Sequence, residues 1–124
     1  MCDGELLSDI LRQIDEACDK ILIRFESIKK ISDFTDSPAG MEKLDSICMQ
    51  LIVVGESVKN LDKITGGKFL TKYSEIDWRK AKGMRDIITH HYAQINAETI
   101  FYTCQKNVPE LSRVIKKMVG ERFA

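Results

Sequence analysis

Histidine and tryptophan are nearly missing from this chain. Its 124 residues hold two histidines, the adjacent pair His90 and His91, and one tryptophan, Trp78. Four cysteines are present, Cys2, Cys18, Cys48 and Cys104, and no two have C-x-x-C spacing. A zinc site or a dithiol redox motif is therefore not expected, and no cofactor is implied. Cys18, Cys48 and Cys104 fall within helical patterns and read as small buried hydrophobes. No apolar run reaches the roughly 18–20 residues of a membrane span. The opening MCDGELL lacks a basic stretch followed by an apolar one, so a signal peptide is not expected and a cytoplasmic location is. Proline occurs twice, and no alternating strand pattern or internal repeat is visible.

Net charge is zero, with 19 basic and 19 acidic residues, which does not by itself point to nucleic acid. The charge is unevenly spread. From Lys63 to Arg85 seven basic residues face only Glu75 and Asp77, a local excess of +5. Two readings stay open for this strip: a solvated face, or a surface that meets phosphates.

At this length one domain is expected, spanning residues 1–124. Leu7, Ile14, Ile21 and Ile28 recur every seventh position, with Leu11, Cys18 and Phe25 between them. This predicts a long amphipathic helix from about Asp3 to Lys30. Turn-forming residues follow through Ser37. Ser37-Pro38 is an N-cap with proline in the first helical position, opening a second helix that runs to about Asp62. Its inward residues are Met41, Leu44, Ile47, Cys48, Leu51, Val54, Val58 and Leu61. Gly55 interrupts it at a cost of about 1 kcal/mol relative to alanine. A close helix–helix approach there is the expected compensation. Glu56, next in line, either faces solvent or points toward another helix.

Asp77 caps a third helix from Trp78 to about Tyr92, with Trp78, Ala81, Met84, Ile87 and Ile88 on one face. Asn96 caps a fourth from Ala97, on Ile100, Phe101 and Cys104. Pro109 biases Val108 away from helix, so this helix is expected to stop near Asn107. A short fifth one is expected from Pro109 to Val119, ended by Gly120. The expected fold is all-α: an antiparallel up-and-down bundle of four main helices plus a short C-terminal one. Trp78 reads as a core anchor, and Tyr73 and Tyr102 as edge-of-core residues.

The chemistry concentrates in WRKAKGMRDIITHHYAQIN, Trp78 to Asn96, which contains Arg85-x4-His90-x-Tyr92. On a straight helix Arg85 and Tyr92 share a face, while His90 stands about 140° from Arg85. Asp86 and His90, four apart, can pair, which would fix the imidazole tautomer. Arg85 and His90 converge on one ligand only if the helix unwinds, if Arg85 folds across, or if two copies of the helix meet. Such a set suits cleavage of an RNA phosphodiester. The imidazole moves the proton, and the guanidinium holds the phosphate and the charge that grows on it. His91 points elsewhere on helical geometry and is read as non-catalytic. Arg79, Lys80 and Lys82 either steer RNA or form a solvated face.

Gly55-Glu56, Trp78, Gly83-Met84-Arg85-Asp86, His90 and Tyr92, in this order, together with NVPEL at Asn107–Leu111, resemble the HepT family of HEPN-domain proteins. The likeness covers about Ile52 to Leu111. It implies a HEPN helical bundle, a homodimer with the motif in its cleft, and a metal-independent endoribonuclease acting as the toxin of a toxin–antitoxin pair. It implies Arg85 and His90 as catalytic residues supported by Asp86. The implied partner is a minimal nucleotidyltransferase (MNT) antitoxin that neutralises the toxin by adenylylating the motif tyrosine, here Tyr92. Asp86 stands where asparagine is also usual and adds a negative charge beside the phosphate site. The other readings are a HEPN-like module that binds a nucleotide or a nucleotidyltransferase without cleaving RNA, and a bundle that only dimerises.

Overall fold

The computed structural model describes residues 4–90 and 96–123, and Ile87, His90, Arg122 and Phe123 through their backbone alone. Six α-helices follow one another: α1 Gly4–Phe25, α2 Ser32–Thr35, α3 Pro38–Ile64, α4 Trp78–His90, α5 Ala97–Tyr102 and α6 Val108–Phe123. No strand occurs among the described residues. The all-α bundle is the fold expected from periodicity.

The seven-residue seam of α1 supplies the centre of the core. Leu7, Leu11, Ile14, Cys18 and Ile21 are buried along it. α1 packs against both α3 and α6, α4 packs on α3, and α4 and the start of α6 line a common cleft. Polar contacts tie the helices together. Lys116 reaches Asp15 and Asp19, while Tyr73, just before α4, bonds Glu121 near the end of α6. Lys82 meets Asp62, and Arg85 meets Glu56, so α4 runs antiparallel to α3.

The caps are those the sequence provides. The Ser37 side chain accepts from the Gly40 amide at 3.0 Å, with Pro38 opening α3. Asp77 accepts from the Lys80 amide at 3.1 Å, and Asn96 from Glu98 and Thr99 at 2.9 and 3.4 Å. These bonds satisfy amides that a helix start leaves without partners. Trp78 is half-buried against the core and donates its indole N–H to the Tyr73 carbonyl at 2.9 Å.

Four expectations need correction. α1 ends at Phe25, not near Lys30. The Asp33 carboxylate accepts from the amides of Lys29 and Lys30, at 2.8 and 3.2 Å, and so offers this backbone an alternative to the helix. The turn it makes sends both Ile28 and Phe34 into the core. Met41, placed inward by spacing, is exposed: α2 packs against the adjacent Gly40, and the covered face of α3 there carries Gly40 and Leu44 while Met41 points off it. Tyr73 is buried instead of lying at the edge, whereas Tyr102 lies there as expected, half exposed with its ring edge-on to Phe101.

The fourth correction concerns Pro109. No break occurs before it: α5 passes through a π-helical turn, Thr103–Asn107, directly into α6. Val108 keeps right-handed helical angles, φ −65° and ψ −45°. A proline in an α-helix leaves one carbonyl unpaired and presses its ring against it. Widening the preceding turn moves that carbonyl aside and lets the helix direction continue. α6 also passes Gly120, so the last helix has 16 residues against 13 in α4. It carries a full core face: Leu111, Val114, Ile115 and Met118 are all buried.

Candidate active site

Gly55 sets the site. A Cβ there would stand 2.9 Å from the Arg85 amide nitrogen and 3.1 Å from the Arg85 Cβ. Only a residue without a side chain lets α3 and α4 come this close. The approach fixes Arg85 beside the residue after Gly55. Arg85 Nε meets Glu56 Oε1 at 2.8 Å, and Arg85 Nη1 meets Asp86 Oδ1 at 3.2 Å. The glutamate thus takes the second of its two expected orientations, toward another helix. Thr89 donates its hydroxyl to the Arg85 carbonyl at 2.9 Å, on the exposed side of α4.

The cluster is open to water: the side chains of Arg85, Glu56 and Asp86 are 43%, 47% and 46% exposed. Ion pairs at such exposure contribute about 0–1 kcal/mol each. An anionic ligand can therefore compete with either carboxylate. Arg85 also has N–H groups to spare. Of the five that a guanidinium carries, the two contacts engage one each. The remaining donors suit a bidentate hold on a phosphate or carboxylate. The two carboxylates outnumber the guanidinium, so these three residues together are negative, and a second cation is needed to favour an anion. The backbone of His90 closes α4 five residues on. Its side chain lies outside the described residues, as do all of His91 and Tyr92. The expected Asp86–His90 pairing therefore falls outside them too, while Asp86 Oδ1 is engaged by Arg85.

The other basic candidates divide. Lys82 is drawn to Asp62 of α3 at 2.7 Å, on the same seam as Arg85. Arg79 and Lys80 are exposed at the start of α4. Six residues separate Arg79 from Arg85, about 120° around the helix, and Lys80 stands about 140° away. Lys80 lines a different cleft of about 150 Å³, with Glu75, Asp77, Asn107 and Glu110. Sequence reasoning left Glu56 undecided and missed Asp62. The signal for Glu56 was its place directly after a mid-helix glycine, which marks where a second helix touches. Among the described residues no group of three or more histidine, cysteine or acidic side chains could hold a metal ion. No described helix is long and apolar enough to cross a membrane.

An all-α bundle that pins a half-exposed arginine between two carboxylates, on a helix ending at a histidine, defines a class: small helical proteins with a charged cluster at a helix seam. The family follows from comparison. The model of the "Ribonuclease HepT-like" family matches residues 10–118, and the chain belongs to this HepT-like ribonuclease family. It is 31% identical over 109 residues to the protein named "Putative RNase TTE0752" of Caldanaerobacter subterraneus subsp. tengcongensis, covering 88% of this chain and 90% of that one. It is 34% identical over 106 residues to "Putative RNase MJ0127" of Methanocaldococcus jannaschii, covering 77% and 84%. No solved structure matches the chain.

Proposed function

We propose that this protein is a metal-independent endoribonuclease in which Arg85 and His90 act from two copies of α4 across a homodimer cleft. The observation that carries the reading is the half-exposed Arg85 guanidinium with donors to spare, on the helix that ends at His90. Membership of the HepT-like ribonuclease family supports RNA as the substrate. The ribose 2′-oxygen attacks the adjacent phosphorus, the P–O5′ bond breaks, and a 2′,3′-cyclic phosphate results. One His90 accepts the 2′ proton and the His90 of the second copy returns a proton to the departing 5′-oxygen. Arg85 binds the phosphate and stabilises its added charge. Asp86 orients His90 and balances its charged form.

The angle between Arg85 and His90 on one helix supports a composite site. So does the surface beside it. Met49 is 59% exposed, seven residues before Glu56 and on the same face of α3, with the half-buried Ile52 and Val53 between them. α3 and α4 are antiparallel, so this apolar strip lies next to the His90 end of α4, where a second copy would cover it.

The same reading makes the protein the toxin of a cytoplasmic toxin–antitoxin pair, neutralised by a minimal nucleotidyltransferase antitoxin. Transfer of AMP to the Tyr92 hydroxyl would place bulk and negative charge at the phosphate site. A second reading is favoured by one observation. Arg85 is already held by Glu56 and Asp86, as a purely structural ion pair would be. On that reading the bundle binds a nucleotide or a nucleotidyltransferase and cleaves nothing. The test is cleavage of total RNA in EDTA by protein made without a partner, beside His90→Ala and Arg85→Ala, with intact mass recorded. Cleavage abolished by both substitutions supports the nuclease. An unmodified wild type that does not cleave supports the binding module, and a mass gain of AMP size identifies the neutralised form.

A further inference from the structure

The face of α3 that carries Glu56 changes character along its length. Before Glu56 it is apolar, through Met49, Ile52 and Val53. After it come Lys59 and Lys63, three and seven residues on, both exposed. Lys63 stands within about 20° of Glu56 around the helix and roughly 10 Å further along it. Two residues later Thr65 ends α3, and Gly66 and Gly67 turn the chain with φ of +72° and +79°. Thr65 then lines a groove of about 280 Å³ together with Lys68, Phe69, Lys72 and Leu7. Neither Lys59, Lys63, Lys68 nor Lys72 forms an ion pair among the described residues, in contrast to Lys82, Lys116 and Lys117. Asp62 is the sole acid between Ser57 and Ser74, and Lys82 already holds it at 2.7 Å. Four lysines without an ion pair among the described residues thus lead away from the Arg85–Glu56 pair.

We propose that Lys59, Lys63, Lys68 and Lys72 form a phosphate-binding track for a single RNA strand, leading from the Arg85 cleft over the end of α3 into the groove beside Phe69. The proposal rests on the nuclease reading for its direction: the strand enters the cleft at Glu56 and leaves across these lysines. Charge complementarity selects the occupant, since a strand's backbone presents regularly spaced phosphates and needs no other match. The local excess of +5 in the sequence therefore divides in space. Lys63, Lys68 and Lys72 belong to this track, whereas Lys80 lies in the cleft between α4 and the start of α6. Lys59, which precedes the strip, joins it only through the turn of α3.

The test measures binding, with cleavage kept apart by placing every variant in full-length His90→Ala protein. Labelled oligouridylates of about four and about sixteen nucleotides are titrated by fluorescence anisotropy over a range of salt. Lys63→Gln/Lys68→Gln is compared with the parent and with Lys29→Gln/Lys30→Gln, a matched charge change at the turn after α1. Thermal melts check folding. The track variant is expected to bind the long oligomer about tenfold more weakly, with the slope of log K against log salt reduced by about 1.4. The short oligomer, held at the cleft, should bind as before, and the matched control should change nothing. Equal loss in the control, or an unchanged affinity and salt slope for the long oligomer, overturns the track. So does binding of poly-glutamate, but not RNA, through these lysines, which would make the surface a dock for an acidic protein. Lysine-dependent RNA binding without cleavage by the His90-intact protein upholds the track and refutes the nuclease. Cleavage with unaltered binding does the reverse.

Discussion

Replacing Gly55 by alanine sets two effects of known sign against each other. Alanine favours the helix by about 1 kcal/mol relative to glycine. Its methyl group would stand 2.9 Å from the Arg85 nitrogen, 3.1 Å from the Arg85 Cβ and 3.5 Å from the Ala81 carbonyl oxygen. Two of these are backbone atoms of α4, so no side-chain rotation can relieve the contact, and the whole helix must move outward. Overpacking of this kind costs about 1–3 kcal/mol. The net expectation is a loss of about 1 kcal/mol, read as a fall in Tm of about 3–5 °C. Gly120→Ala is the internal control. Its Cβ would meet nothing within 4 Å, and the position is helical. It should gain about 0.5–1 kcal/mol. Paired thermal or urea melts of the two variants decide the matter. A Gly55→Ala protein that melts at or above the wild type would refute the argument that this glycine exists for the α3–α4 contact. The functional corollary concerns Arg85. Moving α4 stretches the 2.8 Å contact to Glu56, so RNA cleavage should fall more than stability does.

Three further outcomes are expected. Burial, aided by the 2.7 Å bond to Glu121, pushes the Tyr73 phenol up to about 12. The neutral form is favoured in the folded state, so this contribution to stability is complete below about pH 10 and is lost as pH rises through about 12. Tyr73→Phe should cost about 1 kcal/mol at neutral pH and flatten the alkaline fall in denaturant midpoint, and an unchanged alkaline slope would count against this. Cys18, Cys48 and Cys104 are buried, and burial pushes their thiols up to about 12, 11 and 12. Peptide mapping after iodoacetamide at pH 8 should find all three unmodified until the chain is unfolded. Ser37→Ala removes the acceptor of the Gly40 amide and should cost about 1 kcal/mol in a urea melt.

Local physics was readable from residue order. The Ser37-Pro38, Asp77 and Asn96 starts, the buried seam of α1 and the touching point at Gly55 each depend on neighbours within a turn or two. A capping oxygen, a missing Cβ or an apolar stripe acts over that range, whatever the rest of the chain does. The motif residues and their family likeness were legible for the same reason. What needed tertiary structure was every choice between two locally acceptable states. Asp33 ended α1 because its carboxylate satisfied the Lys29 and Lys30 amides once Phe34 had a core to enter. Pro109 did not end a helix, because the burial of Val108, Leu111, Val114 and Ile115 against α1 favoured a widened turn over a break. Glu56 faced Arg85, and Lys82 faced Asp62, because α4 lies antiparallel on α3. The strip of basic residues was visible in sequence as a sum of charge. Its separation in space, with Lys80 in the cleft between α4 and the start of α6 and Lys68 and Lys72 at the groove beside Phe69, was decided by where one helix crosses another, and spacing along a single helix contains no information about that.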